Sequence, residues 1–190
     1  MLHLAIFCQE SNQNTHFTNP RNPLQNRAFR GNSRRNKTMI KILFICHGNI
    51  CRSPMAEYVM KDMVKSAGRE AEFVIASAAT SREEIGNPVY PPARRKLAEH
   101  GIRCDGHAAR QLTARDAEEY DLLIGMDQAN LRNMKRICAA HPEKCRLLLD
   151  YAGRAGAEVA DPWYTRDFEA TWRDVESGCR GLLEALSSPK

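Results

Sequence analysis

From residue 40 onward, apolar runs of strand length alternate with segments of helical period. Residues 40–45 are apolar except for Lys41, the pattern of a strand buried on both faces. Residues 54–67 place Met55, Val59 and Met63 beside Ala56, Met60 and Val64, two adjacent i, i+4 rows that make one apolar helix face. Residues 72–77 read as a second strand. Residues 91–99 read as a short helix opened by proline and followed by Gly101. A third strand is expected at 122–125, a helix at 129–138 with Leu131, Met134 and Cys138 on one side, and a fourth strand at 146–149. Residues 168–186 form a last helix, with Phe168, Trp172, Val175, Cys179, Leu182 and Leu186 at spacings of four and three. Strands alternating with helices imply right-handed crossovers and a parallel sheet covered on both faces. The expected fold is thus α/β: a single-domain three-layer sandwich with a four-stranded parallel sheet, flavodoxin-like in type. There is no internal repeat.

Residues 1–38 break this pattern. They are rich in Asn, Arg, Gln, Ser and Thr, too polar to offset the entropy of ordering, and are expected to be disordered. Leu2 to Cys8 is apolar but lacks a basic leader and runs into Gln9 and Glu10, which disfavours a secretory signal. The Arg-rich, acid-poor composition is shared with organelle transit peptides. The simpler expectation is a mis-called start, because Met39 stands directly before the first strand. The alternative is a basic tail that tethers acidic partners or membrane surfaces. The net charge of +5 belongs wholly to this segment, which holds six Arg or Lys and one acid. Residues 39–190 carry 22 bases and 22 acids, so a general nucleic-acid binder built on a basic face is disfavoured. No apolar run reaches the roughly 20 residues of a membrane-spanning helix.

Seven cysteines, an odd and scattered set without a CxxC pair, read as reduced thiols in a cytoplasmic compartment rather than as disulfide staples. One of them opens the most informative segment, Cys46-His47-Gly48-Asn49-Ile50-Cys51-Arg52-Ser53-Pro54, between a buried strand and a helix. In open α/β sheets that edge is where ligands bind. Gly48 and Asn49 tolerate left-handed backbone angles, so the loop can curl until the amides of residues 47–52 point inward as an anion nest. Pro54 fits the first helical turn, Ser53 is a plausible cap, and the helix N-terminus adds its positive end. Arg52 can take two phosphate oxygens in a fork, which Lys cannot. A cysteine facing amides, a helix N-terminus and a guanidinium is favoured as the thiolate, the in-line nucleophile for a bound phosphate. A cysteine after an apolar strand is usually a small core residue and a lone arginine is usually solvated. The whole string is far more specific than a loose Cys-x5-Arg pair.

A phosphomonoester also needs its leaving oxygen protonated. Asp161, in Ala160-Asp161-Pro162-Trp163-Tyr164, is the candidate. Asp-Pro alone is more often a turn, but Trp163 and Tyr164 can wall a cleft around a phenyl ring.

Taken together, the chain resembles the low-molecular-weight protein-tyrosine phosphatases over roughly residues 40–187. The resemblance is carried by CHGNICRSPMAE at 46–57, SAATS at 77–81, IGNP at 85–88, HAARQ at 107–111, MDQANL at 126–131 and DPWY at 161–164. It implies that Cys46 is the nucleophile, Arg52 the phosphate clamp and Asp161 the general acid, later the base for water. It further implies that His47, Gly48, Asn49, Ile50, Cys51 and Ser53 bind the phosphate, with Ser53 stabilising the Cys46 thiolate and Trp163 and Tyr164 walling the cleft. Asn49 would hold the loop's strained shape, supported by Ser77 and His107. Cys51 would be a vicinal thiol able to form a reversible disulfide with Cys46. No metal and no cofactor are implied. The partners implied are phosphotyrosine-containing proteins, with no nucleic acid and no membrane span, and the state a monomer or weak homodimer.

Three departures stand out. Trp163 replaces a tyrosine common in the family, and Arg82, Glu83 and Glu84 stand where an aromatic residue often follows SAATS. Ala76 replaces an acid often found before SAATS, so the network behind the loop is expected to be looser. The His47 side chain is expected to face solvent. Three rivals share features with this reading. An arsenate reductase on the same fold would use a downstream cysteine pair. Cys138 and Cys145 are spaced for one, but core packing for Cys138 and a loop position for Cys145 are the simpler expectation. A protein-arginine phosphatase tends to carry Thr at the position of Ile50. A non-catalytic phosphate-binding module would need neither Cys46 nor Asp161.

Overall fold

The computed structural model describes residues 39–187; the expectations for residues 1–38 lie outside them. Four strands, β1 (Ile40–Cys46), β2 (Phe73–Ala79), β3 (Leu122–Gly125) and β4 (Cys145–Leu147), form one parallel sheet in the order β2-β1-β3-β4. The six α-helices among the described residues are α1 (Arg52–Ser66), α2 (Pro91–Glu99), α3 (Ala114–Glu119), α4 (Gln128–Ile137), α5 (Pro162–Thr165) and α6 (Phe168–Ser187). The chain is an α/β flavodoxin-like fold, as the alternation of patterns implies.

Alternation along β1 divides the core. Ile42, Phe44 and Cys46 join the cluster made with Met55, Val59 and Met60 of α1, Ala93 and Leu97 of α2, and Trp172, Val175, Cys179 and Leu182 of α6. Leu43 and Ile45 point into a second cluster with Ala117 of α3, Met134 of α4, Cys138 and Cys145. The sheet is therefore covered on both faces, which is why its central strand is apolar throughout.

The order of strands fixes the site. The chain runs from β1 outward to β2 on one side and to β3 on the other, so a crevice opens beyond the carboxyl end of β1. Cys46 is the last residue of β1. In register, Cys46 pairs with Ala79 and Ile45 with Gly125, which delivers Thr80 and Asp127 to the same edge.

Four expectations need correction. The fourth strand is Cys145–Leu147, and residues 148–152 wind into a 3-10 turn, where Leu148 and Leu149 are wholly buried. The Asp150 carboxylate accepts from the Leu147 amide and ends the strand early. Cys145 is consequently a buried sheet residue, not a loop thiol. Helix α3 was not anticipated. It spans six residues and is capped by Thr113 and Asp116, whose carboxylate accepts from the Thr113 amide at 2.7 Å. Helix α1 starts at Arg52 with Cys51 at its cap position, so Ser53 lies inside the helix and is not its cap.

Helix α6 crosses the 3-10 turn closely because of Gly181. A β-carbon there would lie 2.0 Å from the Tyr151 carbonyl oxygen, a backbone atom that cannot turn aside. Gly181→Ala is expected to cost about 2–3 kcal/mol despite alanine's better helix propensity, read as a lower midpoint in urea unfolding.

Candidate active site

The loop between β1 and α1 wraps around the Cys46 sulfur. Asn49 has φ 59°, a left-handed conformation that asparagine tolerates better than other side-chain-bearing residues. Its amide thereby donates to Cys46 Sγ at 3.2 Å, and the Ser53 hydroxyl sits 3.1 Å from the same sulfur. Both residues are fully buried. Ser53 Oγ also accepts from Asn49 Nδ2 at 2.9 Å, and its own proton can turn to the sulfur or to the Ala78 carbonyl oxygen 3.4 Å away.

A chain of side chains behind the loop holds Asn49 in this shape. Its Nδ2 donates to Ser77 Oγ at 2.8 Å, its Oδ1 accepts from the Arg110 amide at 3.1 Å, and its carbonyl is 2.8 Å from His107 Nε2. Ser77 Oγ in turn donates to Glu57 Oε2 at 2.5 Å, and Glu57 pairs with Lys61 one turn along α1. Ser77 and His107 thus both reach Asn49. Ala76 contributes no acid here; Glu57 of α1, buried directly against Ser77, is the carboxylate that joins this network.

Arg52 is buried at 4% exposure, with its guanidinium spread between two carboxylates. Nη1 donates to Asp127 Oδ2 at 2.7 Å and Nη2 lies 2.6 Å from Asp161 Oδ2. Burial works against its charge, but the negative neighbours Cys46, Asp161 and Asp127 outweigh it and push the Arg52 pKa above the usual guanidinium value. Asp127 had no assigned role in the sequence. It caps α4, accepting from the Asn130 amide at 2.6 Å, and so presents its other oxygen to Arg52. The available signal was an acid just past the end of a strand neighbouring β1.

Asp161 caps α5: its Oδ1 accepts from the Trp163 amide at 3.0 Å, and Pro162 starts the helix. This brings Asp161, Trp163 and Tyr164 to a cavity also lined by Cys46, His47, Gly48, Ile50, Cys51, Arg52, Glu83 and Glu84. Trp163 packs on Tyr90 with ring centroids 5.6 Å apart, while Tyr164 is 82% exposed at the mouth. Residues 115 apart in sequence therefore share one cleft. Cys51 is different in kind from Cys46. Burial first, then the negative charge of Cys46 and Asp161, pushes its thiol up to about 12 against the opposing pull of Arg52. At neutral pH it adds no charge to the cradle. The His47 side chain is exposed, as expected, but it is engaged, with Nε2 3.0 Å from Glu83 Oε2.

A family model for low molecular weight phosphotyrosine protein phosphatases matches residues 41–190. The chain belongs to that family. It is 36% identical over 154 residues to a low molecular weight protein-tyrosine-phosphatase of Bacillus subtilis, covering 80% of this chain and 99% of that protein. The Gallus gallus low molecular weight phosphotyrosine protein phosphatase is 38% identical over 151 residues, covering 75% of this chain and 93% of that protein. The crystal structure of the same Bacillus subtilis protein superposes with a TM-score of 0.75, covering 78% of this chain and 95% of that one. A structure described as a Drosophila arginine phosphatase also superposes, with a TM-score of 0.72 at 25% identity, covering 80% of this chain and all of that one. The proteins this chain is similar to thus include phosphatases named for tyrosine and one named for arginine.

Proposed function

We propose that this chain is a phosphotyrosine phosphatase that works through a cysteinyl-phosphate intermediate. The observation that carries the reading is the convergence of Cys46, Arg52 and Asp161 on one cavity with an aromatic wall. In the first step the Cys46 sulfur attacks phosphorus in line and the P–O(aryl) bond breaks. Asp161 gives its proton to the departing phenol oxygen. Arg52 and the loop amides bind the non-bridging phosphate oxygens, where charge is held in the transition state. Nη2 of Arg52 passes from Asp161 to the phosphate as Asp161 turns to the ester oxygen. In the second step water attacks the phosphocysteine, Asp161 takes its proton, and the thiolate departs with hydrogen bonds from Ser53 and the Asn49 amide. Asp127 keeps the Arg52 fork oriented throughout.

The cleft walls favour an aromatic ester. Ile50 and Trp163 give the ring apolar contact, and Tyr164 extends the wall outward. An arsenate-reducing relay is disfavoured by the sheet itself, because Cys138 and Cys145 pack in the cluster on the face opposite Cys46. Burial also pushes Cys138 up to about 11 and raises Cys145, making both poor nucleophiles. Six cysteines among the described residues are free and buried, which suits a reducing compartment such as the cytoplasm. No helix among the described residues is long and apolar enough to cross a membrane.

The test is substrate choice by chelator-treated protein. Aryl phosphate and a phosphotyrosyl peptide are expected to turn over with undiminished rate in EDTA, and free phosphoarginine at least about 10²-fold less well in kcat/KM, since the cavity offers a ring-binding wall. Preference for phosphoarginine, or loss of activity in EDTA, contradicts the reading.

A further inference from the structure

The cavity carries its anion-binding donors at the floor and acidic side chains at its mouth. Arg52, the loop amides and the N-terminus of α1 supply the floor, whereas Glu83 and Glu84 are the charged side chains at the rim beside His47. Arg82, the next residue back, is exposed but does not line the cavity. The rim is held in place. The Thr80 amide donates to the Cys46 carbonyl at 2.9 Å and the Ser81 amide to the His47 carbonyl at 3.0 Å. The far end of the same segment is anchored where the Tyr90 amide donates to the Ile50 carbonyl at 2.8 Å. Glu84 is packed so closely over Gly48 that a β-carbon there would meet its Cγ at 3.1 Å. Its Oε2 accepts from Asn87 Nδ2 at 2.6 Å, and Glu83 Oε2 faces His47. The Oε1 atom of each carboxylate has no hydrogen-bond partner among the described residues.

A phosphotyrosine side chain supplies an anion for the floor and a ring for the wall, but nothing for this rim. A dianionic phosphate approaching these two carboxylates, each with one oxygen unpartnered among the described residues, is repelled unless its own chain carries a compensating cation. We propose that Glu83 and Glu84 select phosphotyrosine that has a basic residue close to it in the substrate chain, the Lys or Arg side chain crossing the mouth to the free Oε1 atoms. This deepens the proposed function and rests on it. The rim residues act on choice of peptide and on encounter, and the chemistry stays with Cys46, Arg52 and Asp161.

The experiment compares phosphotyrosyl peptides in one neutral frame, with Arg or Glu placed singly at each of the two positions on either side of the phosphotyrosine. For the parent protein, kcat/KM is expected to favour the best Arg peptide over its Glu counterpart by about 10-fold at low salt, shrinking as ionic strength rises. In Glu83→Gln with Glu84→Gln the ratio should fall to near one. In Glu83→Lys with Glu84→Lys it should invert, an outcome that a folding defect cannot produce. Equal rates for Arg and Glu peptides in a parent that hydrolyses aryl phosphate overturn the rim proposal and leave the phosphatase reading standing. An Arg preference that survives the double lysine variant also overturns it. A parent inactive on aryl phosphate removes both.

Discussion

Cys46→Ser is expected to abolish hydrolysis of aryl phosphates, lowering kcat by about 10⁴-fold or more while leaving the fold intact. The two side chains are nearly isosteric, and the Asn49 amide and Ser53 hydroxyl that meet the sulfur will meet a hydroxyl in the same place. What is lost is the nucleophile. A serine hydroxyl needs a base within reach to become an alkoxide, and none of the groups touching this position is one. Ser53 is a hydroxyl, Asn49 an amide, and Asp161 is held by Arg52 and by the Trp163 amide. Removing the attacking group of a two-step mechanism removes nearly all of the rate, because binding and orientation cannot substitute for bond formation. Steady-state kinetics on p-nitrophenyl phosphate, with circular dichroism as the check on folding, measures this. A variant within 10-fold of the parent would place the nucleophile elsewhere.

Arg52→Lys conserves charge but should still cost about 10³-fold in kcat/KM. The guanidinium is planar and spans Asp127 and Asp161 with separate nitrogens at 2.7 and 2.6 Å. A single ammonium cannot reach both carboxylates, nor offer two parallel N–H groups to a phosphate. The loss is that of transition-state hydrogen bonds inside a buried site, where one such donor is worth about 10²–10³-fold. The same change leaves a carboxylate of Asp127 or Asp161 without its cation at under a third exposure, so stability should also fall by about 2 kcal/mol. Phosphate inhibition separates the two effects. The inhibition constant for inorganic phosphate should rise in the folded variant at a temperature well below its melting point. Unchanged phosphate affinity would mean that Arg52 is structural.

What could be read from the sequence was local. The string from Cys46 to Pro54 carries its own geometry: a left-handed asparagine, a curled loop and a helix start, all within nine residues. Long amphipathic stretches such as α6 were equally plain, because twenty residues repeat one pattern many times. The six-residue α3 was not, since fewer than two turns cannot establish a period. The end of β4 was misplaced because two buried leucines look alike in a strand and in a 3-10 turn, and the deciding group is the Asp150 carboxylate. Asp127 and Glu57 lay inside recognised strings yet showed no role. Their partners, Arg52 and Ser77, lie 75 and 20 residues away, brought near only by strand order and by the packing of α1 on the sheet. The rim of Glu83 and Glu84 was visible as a departure, and its meaning required the hydrogen bonds that tie residues 80 and 81 to the Cys46 loop.

The central claim is that phosphate passes through a covalent bond to Cys46. Acid quenching of the parent protein during turnover of an aryl phosphate, followed by peptide mass mapping, tests it directly. The account predicts a phosphoryl group on the peptide containing Cys46, absent from Cys46→Ser and from protein never given substrate. Steady turnover with no phosphoryl group on Cys46, together with label on another side chain, would contradict it.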